Sequence, residues 1–206
     1  MLRGGIFMKR VLICMISVLF ILLLGSCSKE ELFITADNIT FNTILVKRNG
    51  SLYAAIVEDF DKSYYNLGEL NEFVAQEVNE YNKKAGGKEV TIEELKLVNG
   101  KVVLILGYSK MAHYSAFNDV PAAYFNAAAE NVALELPSQY VDAKKDTVVD
   151  REKAFKNKKN QVLVLYEPYE IIVEGDIKFY SQNAELLDKN RVKSTGDDMT
   201  VVIYRQ

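Results

Sequence analysis

The chain has 206 residues, with 25 basic and 28 acidic side chains for a net charge of −3, and 49% of its residues are hydrophobic. That balance argues against a nucleic-acid binder, which needs a basic surface to neutralise phosphates. Two cysteines and a single histidine leave no basis for a multi-histidine metal site or a disulfide scaffold, so a fold of this length must rest on its apolar core.

The N-terminus is the most specific stretch. Val11 to Leu24 is an almost unbroken apolar run, preceded by Lys9 and Arg10, and no acid occurs before Glu30. A cationic n-region followed by an apolar h-region is the layout of a secretory signal. The run is shorter than the roughly 20 apolar residues a helix needs to cross a bilayer, so a cleaved signal is expected rather than a permanent span. Met8 opens a compact signal of ordinary length inside it, and Met1 and Met8 both stand as starts. The run closes on Leu24-Gly25-Ser26-Cys27.

These four residues resemble the lipobox of bacterial lipoproteins, in which a branched apolar residue and two small ones precede a cysteine. The resemblance covers residues 1–27 only. It implies that the Cys27 thiol receives a diacylglycerol, that the bond before it is cut, and that the new amino terminus is acylated further; two or more acyl chains give stable membrane attachment where one does not. The expected organisation is a signal peptide over 1–26, a lipidated cysteine and polar tether over 27–31, and one domain over 32–206. Lys29-Glu30-Glu31 is also similar to the short acidic export signal that some Bacteroidetes lipoproteins carry behind the cysteine. The expected location is the outer face of the cytoplasmic membrane or, in a diderm, the outer membrane. Cleavage removes Arg3, Lys9, Arg10 and Cys14, leaving 22 basic against 28 acidic side chains, a net charge of −6. No free thiol then remains.

Beyond the tether the sequence reads as strands. Ile34 to Ile39 leads into Phe41 to Val46, then Asn49-Gly50, then Leu52 to Val57. An Asn-Gly pair between two β-rich runs predicts a hairpin, with positive φ expected at both turn positions. Asn66 with Glu69 three residues later is a capping-box start, and Leu70, Phe73, Val74, Val78 and Tyr81 repeat at helical spacing. A helix to about Lys84 is predicted, ended by Gly86-Gly87.

The pattern then recurs. Val90 to Val98, Asn99-Gly100 and Val102 to Tyr108 form a second predicted hairpin, followed by a shorter helix over 110–117. The arrangement is compatible with a duplicated ββα unit, taken as architecture rather than ancestry. Pro121 to Glu135 is Ala-rich and reads as helical, with Pro137 as its stop, and Val141 to Asp150 reads as a polar connector. From Gln161 the chain is β-rich again, in Val162 to Tyr166, Glu170 to Val173, Ile177 to Ser181 and Thr200 to Arg205. Turns are expected at Gly175, Asn183, Asn190 and Gly196-Asp197. Pro168 marks an edge or a break, and the apolar C-terminus is expected to be paired into a sheet. The predicted fold class is α+β, a mainly antiparallel sheet built from Asn-Gly hairpins with two or three helices.

Several groups invite a chemical reading. His113 lies in a helical context with no partner motif, which favours a structural role over a general base. Asp59, Asp61 and Ser63 superficially match the start of an EF-hand loop, but Tyr64 and Leu70 stand where glycine and a bidentate Glu are needed. No metal site and no cofactor are therefore implied. Glu167, Glu170, Glu174 and Asp176 form an acidic group, and two carboxylates at suitable separation could cleave a glycoside. Tyr64, Tyr65, Tyr166 and Tyr169 could line a binding face or finish a core with their hydroxyls at its rim. Residues 144–159 hold a basic cluster on an acidic protein. Its Lys144, Lys145, Lys156, Lys158 and Lys159 are candidates for contact with anionic headgroups or anionic wall polymers, where each cation contributes about 1 kcal/mol near a charged membrane. A solvated loop interleaved with acids is the other reading.

Three functions follow. The leading one is a membrane-anchored envelope lipoprotein acting as a non-catalytic binding or interaction module for an envelope polymer or protein. The alternatives are an envelope glycan or peptide hydrolase using acids such as Glu167 and Glu170, and a small solute-binding lipoprotein.

Overall fold

A computed structural model describes residues 32–129, 133–196 and 198–206. The signal, the lipobox Leu24, Gly25 and Ser26, and Cys27 lie outside the described residues. Phe33–Gln206 forms one compact unit, in which the described residues make thirteen strands and three helices.

The first hairpin joins β1 (Thr43–Val46) to β2 (Leu52–Asp59). Its turn differs from expectation. Only Gly50 has positive φ, at 84°. Lys47 N–H bonds to Ser51 O and Gly50 N–H to Lys47 O, while Asn49 stays out of the left-handed region and its side chain accepts from Ser51 N–H and Oγ–H. The segment 34–39, expected as a strand, is instead a turn. Ala36 N–H donates to the Glu94 carboxylate at 2.8 Å and Lys96 pairs with Asp37 at 2.6 Å. These bonds lay Ile34, Ala36 and Ile39 over Ala55, Val103 and Ile105, so the segment caps one face of a sheet without joining it.

Helix α1 (Leu67–Ala85) follows the sequence closely. Asn66 Oδ1 accepts from the N–H groups of Gly68 and Glu69, its amide donates to Glu69, and Gly86 takes φ 79° past the C-terminus. Val74 and Val78 are buried, whereas Phe73 is 60% exposed and outside the packed face. Asn82, near the end of α1, accepts from Glu89 and Val90 N–H and donates to Val90 O, which fixes where the next strand begins.

That strand, β3 (Val90–Val98), pairs with β4 (Lys101–Tyr108) across Asn99-Gly100, where both residues have positive φ, 51° and 79°. Helix α2 (Met111–Asn118) follows. Thus two strand-turn-strand-helix units occur, and their hairpins meet edge to edge through β2 and β4.

The next segment departs from the sequence reading. The Ala-rich stretch after Pro121 contains β5 (Ala122–Asn126), paired with β8 (Gln161–Leu165). Five bridges to an interior strand outweigh the helix propensity of alanine, which is worth a few tenths of a kcal/mol per residue. The supposed polar connector is a hairpin of β6 (Gln139–Asp142) and β7 (Thr147–Asp150), with Asp146 at φ 51° doing the work glycine usually does. Helix α3 (Arg151–Ala154) is a single turn capped by the Asp150 carboxylate on Lys153 N–H. The rest is β9 (Glu170–Val173), β10 (Asp176–Tyr180), β11 (Ala184–Asp188), β12 (Arg191–Ser194) and β13 (Thr200–Arg205).

Two sheets result. Sheet A runs β11-β12-β9-β1-β2-β4-β3 and sheet B runs β5-β8-β13-β10-β6-β7. All pairings are antiparallel except β1 with β9. Pro168 sits where the chain leaves β8 in one sheet for β9 in the other. β8 and β13 are buried on both faces: Leu163, Leu165, Val202 and Tyr204 face sheet A and the helices, while Val162, Val164, Val201 and Ile203 form a second core with Tyr140, Ala154 and Phe155. Two-sided burial explains why these strands are continuous apolar runs rather than alternating ones.

Candidate functional site

The basic stretch is organised by its backbone into a cleft. Asp142 Oδ1 accepts from Lys144 and Lys145 N–H, and Asp142 O accepts from Lys145 and Asp146 N–H. This tightens the β6–β7 turn. Farther on, Phe155 packs edge-on against Tyr140 at 5.8 Å and Ala154 is fully buried, so α3 is pinned to sheet B. The following loop is closed by Asn157, which accepts from Lys159 N–H with its side chain and from Asn160 N–H with its carbonyl. Lys156, Lys158 and Lys159 are left exposed on its rim.

Two further lysines arrive from distant sequence. The β10–β13 ladder shifts register between Ile177 and Phe179, leaving Lys178 as the extra residue of a bulge, and a bulge re-aims the side chain it carries. Ile177 N–H bonds to Lys189 O at 2.7 Å, which brings the β11–β12 turn of sheet A beside β10 of sheet B. The cleft so formed has a volume of about 1050 Å3 and is walled by Lys144, by Lys153, Lys156, Lys158 and Lys159, and by Lys178 and Lys189. Lys145 does not line it. Arg151, Lys153, Lys156 and Lys158 also border a second cleft, of about 890 Å3, on the far side of α3 against Phe125, Leu134 and Phe155.

Among the described residues, seven ammonium groups meet two carboxylates in the larger cleft. Asp142 is committed to the turn's N–H groups, and Asp176 pairs with Lys178 at 3.4 Å. Among the described residues, no ion pair neutralises Lys144, Lys153, Lys156, Lys158, Lys159 or Lys189. A concave wall of one sign concentrates counter-ions of the other.

The remaining candidates are dispersed. Glu170 pairs with Arg191 at 3.0 Å, Glu174 with Lys47 at 2.7 Å, and Glu167 accepts from the Tyr114 hydroxyl at 3.2 Å. Neither Glu167 nor Glu170 borders either cleft. Asp59 pairs with Lys101 and Asp61 with Lys62. Among the described residues no group of three His, Cys, Asp or Glu side chains converges as a metal site would. His113 holds Tyr81 through Nδ1 at 3.0 Å and Glu89 through Nε2 at 3.1 Å, tying α1, α2 and the approach to β3 together. Ser109 donates to the same Glu89 carboxylate rather than to His113, so the histidine is not placed to deprotonate it.

The tyrosines separate as well. Tyr169 is buried in the inter-sheet core, its hydroxyl 3.2 Å from that of Tyr114, and burial pushes its ionisation up to about 12. Tyr166 packs on the opposite core, and Tyr64 and Tyr65 stand exposed beside Phe60. They do not form one face.

Glu174 yields a pH prediction. Burial raises its pKa, but the Lys47 hydrogen bond and Arg48 N–H outweigh that and hold the carboxyl below its ordinary value. A folded pKa below the unfolded one means that the stabilisation is present at neutral pH and drains away as pH falls below about 4. Glu174→Gln is expected to cost about 1–2 kcal/mol at pH 7 and to flatten the acid limb of stability against pH, as read by urea denaturation across pH 3–7. An unchanged limb would exclude Glu174 as its source.

No helix among the described residues is long and apolar enough to cross a membrane. Comparison with protein-family models, with curated proteins and with solved structures finds no match to this chain.

Proposed function

We propose that the chain is an exported, lipid-anchored envelope protein whose domain is a non-catalytic binding module, and that its ligand is anionic. The observation carrying this reading is the convergence of seven lysines on one cleft without matching carboxylates, on a protein whose overall charge is negative. Like charges gathered from four separate segments repel one another, and a bound anion relieves that repulsion. The anchor is supported by Leu24-Gly25-Ser26-Cys27 behind a signal-like apolar run. The acids that a hydrolase would use are engaged elsewhere, Glu170 by Arg191 and Glu167 by Tyr114.

Two measurements test the two halves. In cells, Cys27→Ala is expected to abolish labelling with palmitate and to leave the precursor uncut; a labelled variant would overturn the anchor. Retention of the domain on immobilised polyphosphate is expected to fall as salt rises. Reversing Lys144 and Lys156 to Glu is expected to weaken it by at least thirtyfold, since the loss of each cation alone removes about 1 kcal/mol. Retention indifferent to salt and to both reversals would remove the anionic ligand.

A further inference from the structure

We infer that the lysine-walled cleft takes an anionic amphiphile, a negatively charged headgroup joined to an apolar tail. This rests on the reading of the cleft as an anion site and deepens it by naming the ligand class. A site for a bare anion is lined by cations and N–H groups throughout. Here the cations form a rim over an apolar floor of Ala143, Ile177, Phe179 and Leu186. Ile177, Ala143 and Leu186 belong to the inter-sheet core and Phe179 to the core on the other face of sheet B, so the floor is where the two cores come to the surface side by side. The lysine stems extend that apolar wall while their ammonium groups stay at the water boundary. A volume of about 1050 Å3 stands at the upper end of the range that encloses a drug-sized ligand, far beyond what a single phosphate fills.

Asn160 adds an independent observation. It borders the cleft and is 2% exposed, and its side-chain oxygen is buried with no hydrogen-bond partner. Buried acceptors are nearly always satisfied. The oxygen is closed off from solvent, so it marks an unsatisfied acceptor beneath the cleft wall, which a donor reaches only if that wall shifts on binding. A neutral amphiphile would leave the lysine rim uncompensated, and an inorganic anion would leave the floor wet.

The test uses the chain from residue 28 onward, which keeps the whole compact unit Phe33–Gln206. Calorimetric titrations compare dodecyl phosphate below its micelle concentration, inorganic phosphate, and the neutral dodecyl maltoside. Dodecyl phosphate is expected to bind with one-to-one stoichiometry, about tenfold or more tighter than either of the others, and more weakly as salt rises. Lys156→Glu with Lys159→Glu is expected to lose thirtyfold or more for dodecyl phosphate, on the same scale of about 1 kcal/mol per cation, with Lys156→Gln and Lys159→Gln carrying the comparison if circular dichroism shows the double variant unfolded. Leu186→Ser is expected to erase the advantage over inorganic phosphate while leaving phosphate affinity in place. Vesicles of phosphatidylglycerol, against phosphatidylcholine, distinguish the source. Binding to the former that dodecyl phosphate displaces assigns a membrane lipid, and monomer binding without vesicle binding assigns a free amphiphile. Equal affinity for inorganic and dodecyl phosphate, or for dodecyl phosphate and dodecyl maltoside, overturns the amphiphile. The first of these leaves the anion site standing. Absence of any anion binding, or anion binding that the lysine changes leave unaltered, overturns the anion site itself.

Discussion

Replacing Gly175 by alanine is expected to destabilise the domain by about 3 kcal/mol, a fall in midpoint of roughly 10 °C for a domain of this size. The residue lies in the short link that carries the chain from β9 in sheet A to β10 in sheet B. A Cβ added there would overlap the Arg205 carbonyl oxygen and stand 2.8 Å from the Tyr204 ring. Neither neighbour can yield cheaply. Arg205 belongs to the β10–β13 ladder through its pairing with Asp176, and Tyr204 is fully buried. Gly196→Ala is the matched control. Among the described residues nothing lies within 4 Å of its added Cβ, and a change within about 0.5 kcal/mol is expected. Thermal unfolding followed by circular dichroism reads both variants, and an unaltered midpoint for Gly175→Ala would show that the β9–β10 link does not lie against Arg205 and Tyr204.

Leu163→Ala should cost about 3–4 kcal/mol. Leu163 is fully buried in β8, between β5 and β13, and belongs to the core shared by the two sheets and α1. That core combines side chains from both sheets and the helices, so no single neighbour can relax into the space. The cost is then the transfer of the lost methylenes plus most of the cavity they leave. Leu187→Ala, at a side chain 45% exposed on edge strand β11, is expected to stay within about 0.5 kcal/mol. Denaturant midpoints for the two variants that coincide would contradict the assignment of the core.

The elements legible in the sequence are those whose cause is local. The capping pattern from Asn66 to Glu69 and the glycine at 86 bound α1 within a residue of expectation, because an N-cap and a left-handed C-cap need only their immediate neighbours. Asn99-Gly100 likewise turns as its two residue types prefer. Asn49-Gly50 shows the limit: the same dipeptide makes a longer turn, with its asparagine out of the left-handed region. Ala122–Asn126 and the β6–β7 hairpin were illegible because pairing with β8 and β10 decides them, and composition around Ala127 and Lys144 points elsewhere.

The cleft is an intermediate case. Lys144, Lys156, Lys158 and Lys159 are visible as a run of charge, and the structure places all four around one cleft. Lys178 and Lys189 enter only through the bulge in β10 and the bond from Ile177 to Lys189, long-range features with no local signature. The apolar floor is equally invisible, since Phe179 and Leu186 look like ordinary strand residues until two sheets meet beside them.

The place of β13 has a consequence for the order in which the molecule can be completed. This strand, the last six ordered residues before Gln206, lies between β8 and β10 and supplies the ladder on both sides. Until it arrives, β8 and β10 each present an open edge and the two cores of sheet B lack Val201 to Tyr204. Sheet B therefore cannot close until Thr200–Arg205 has joined it. Before that strand pairs, the chain carries exposed strand edges of the kind that recruit other chains.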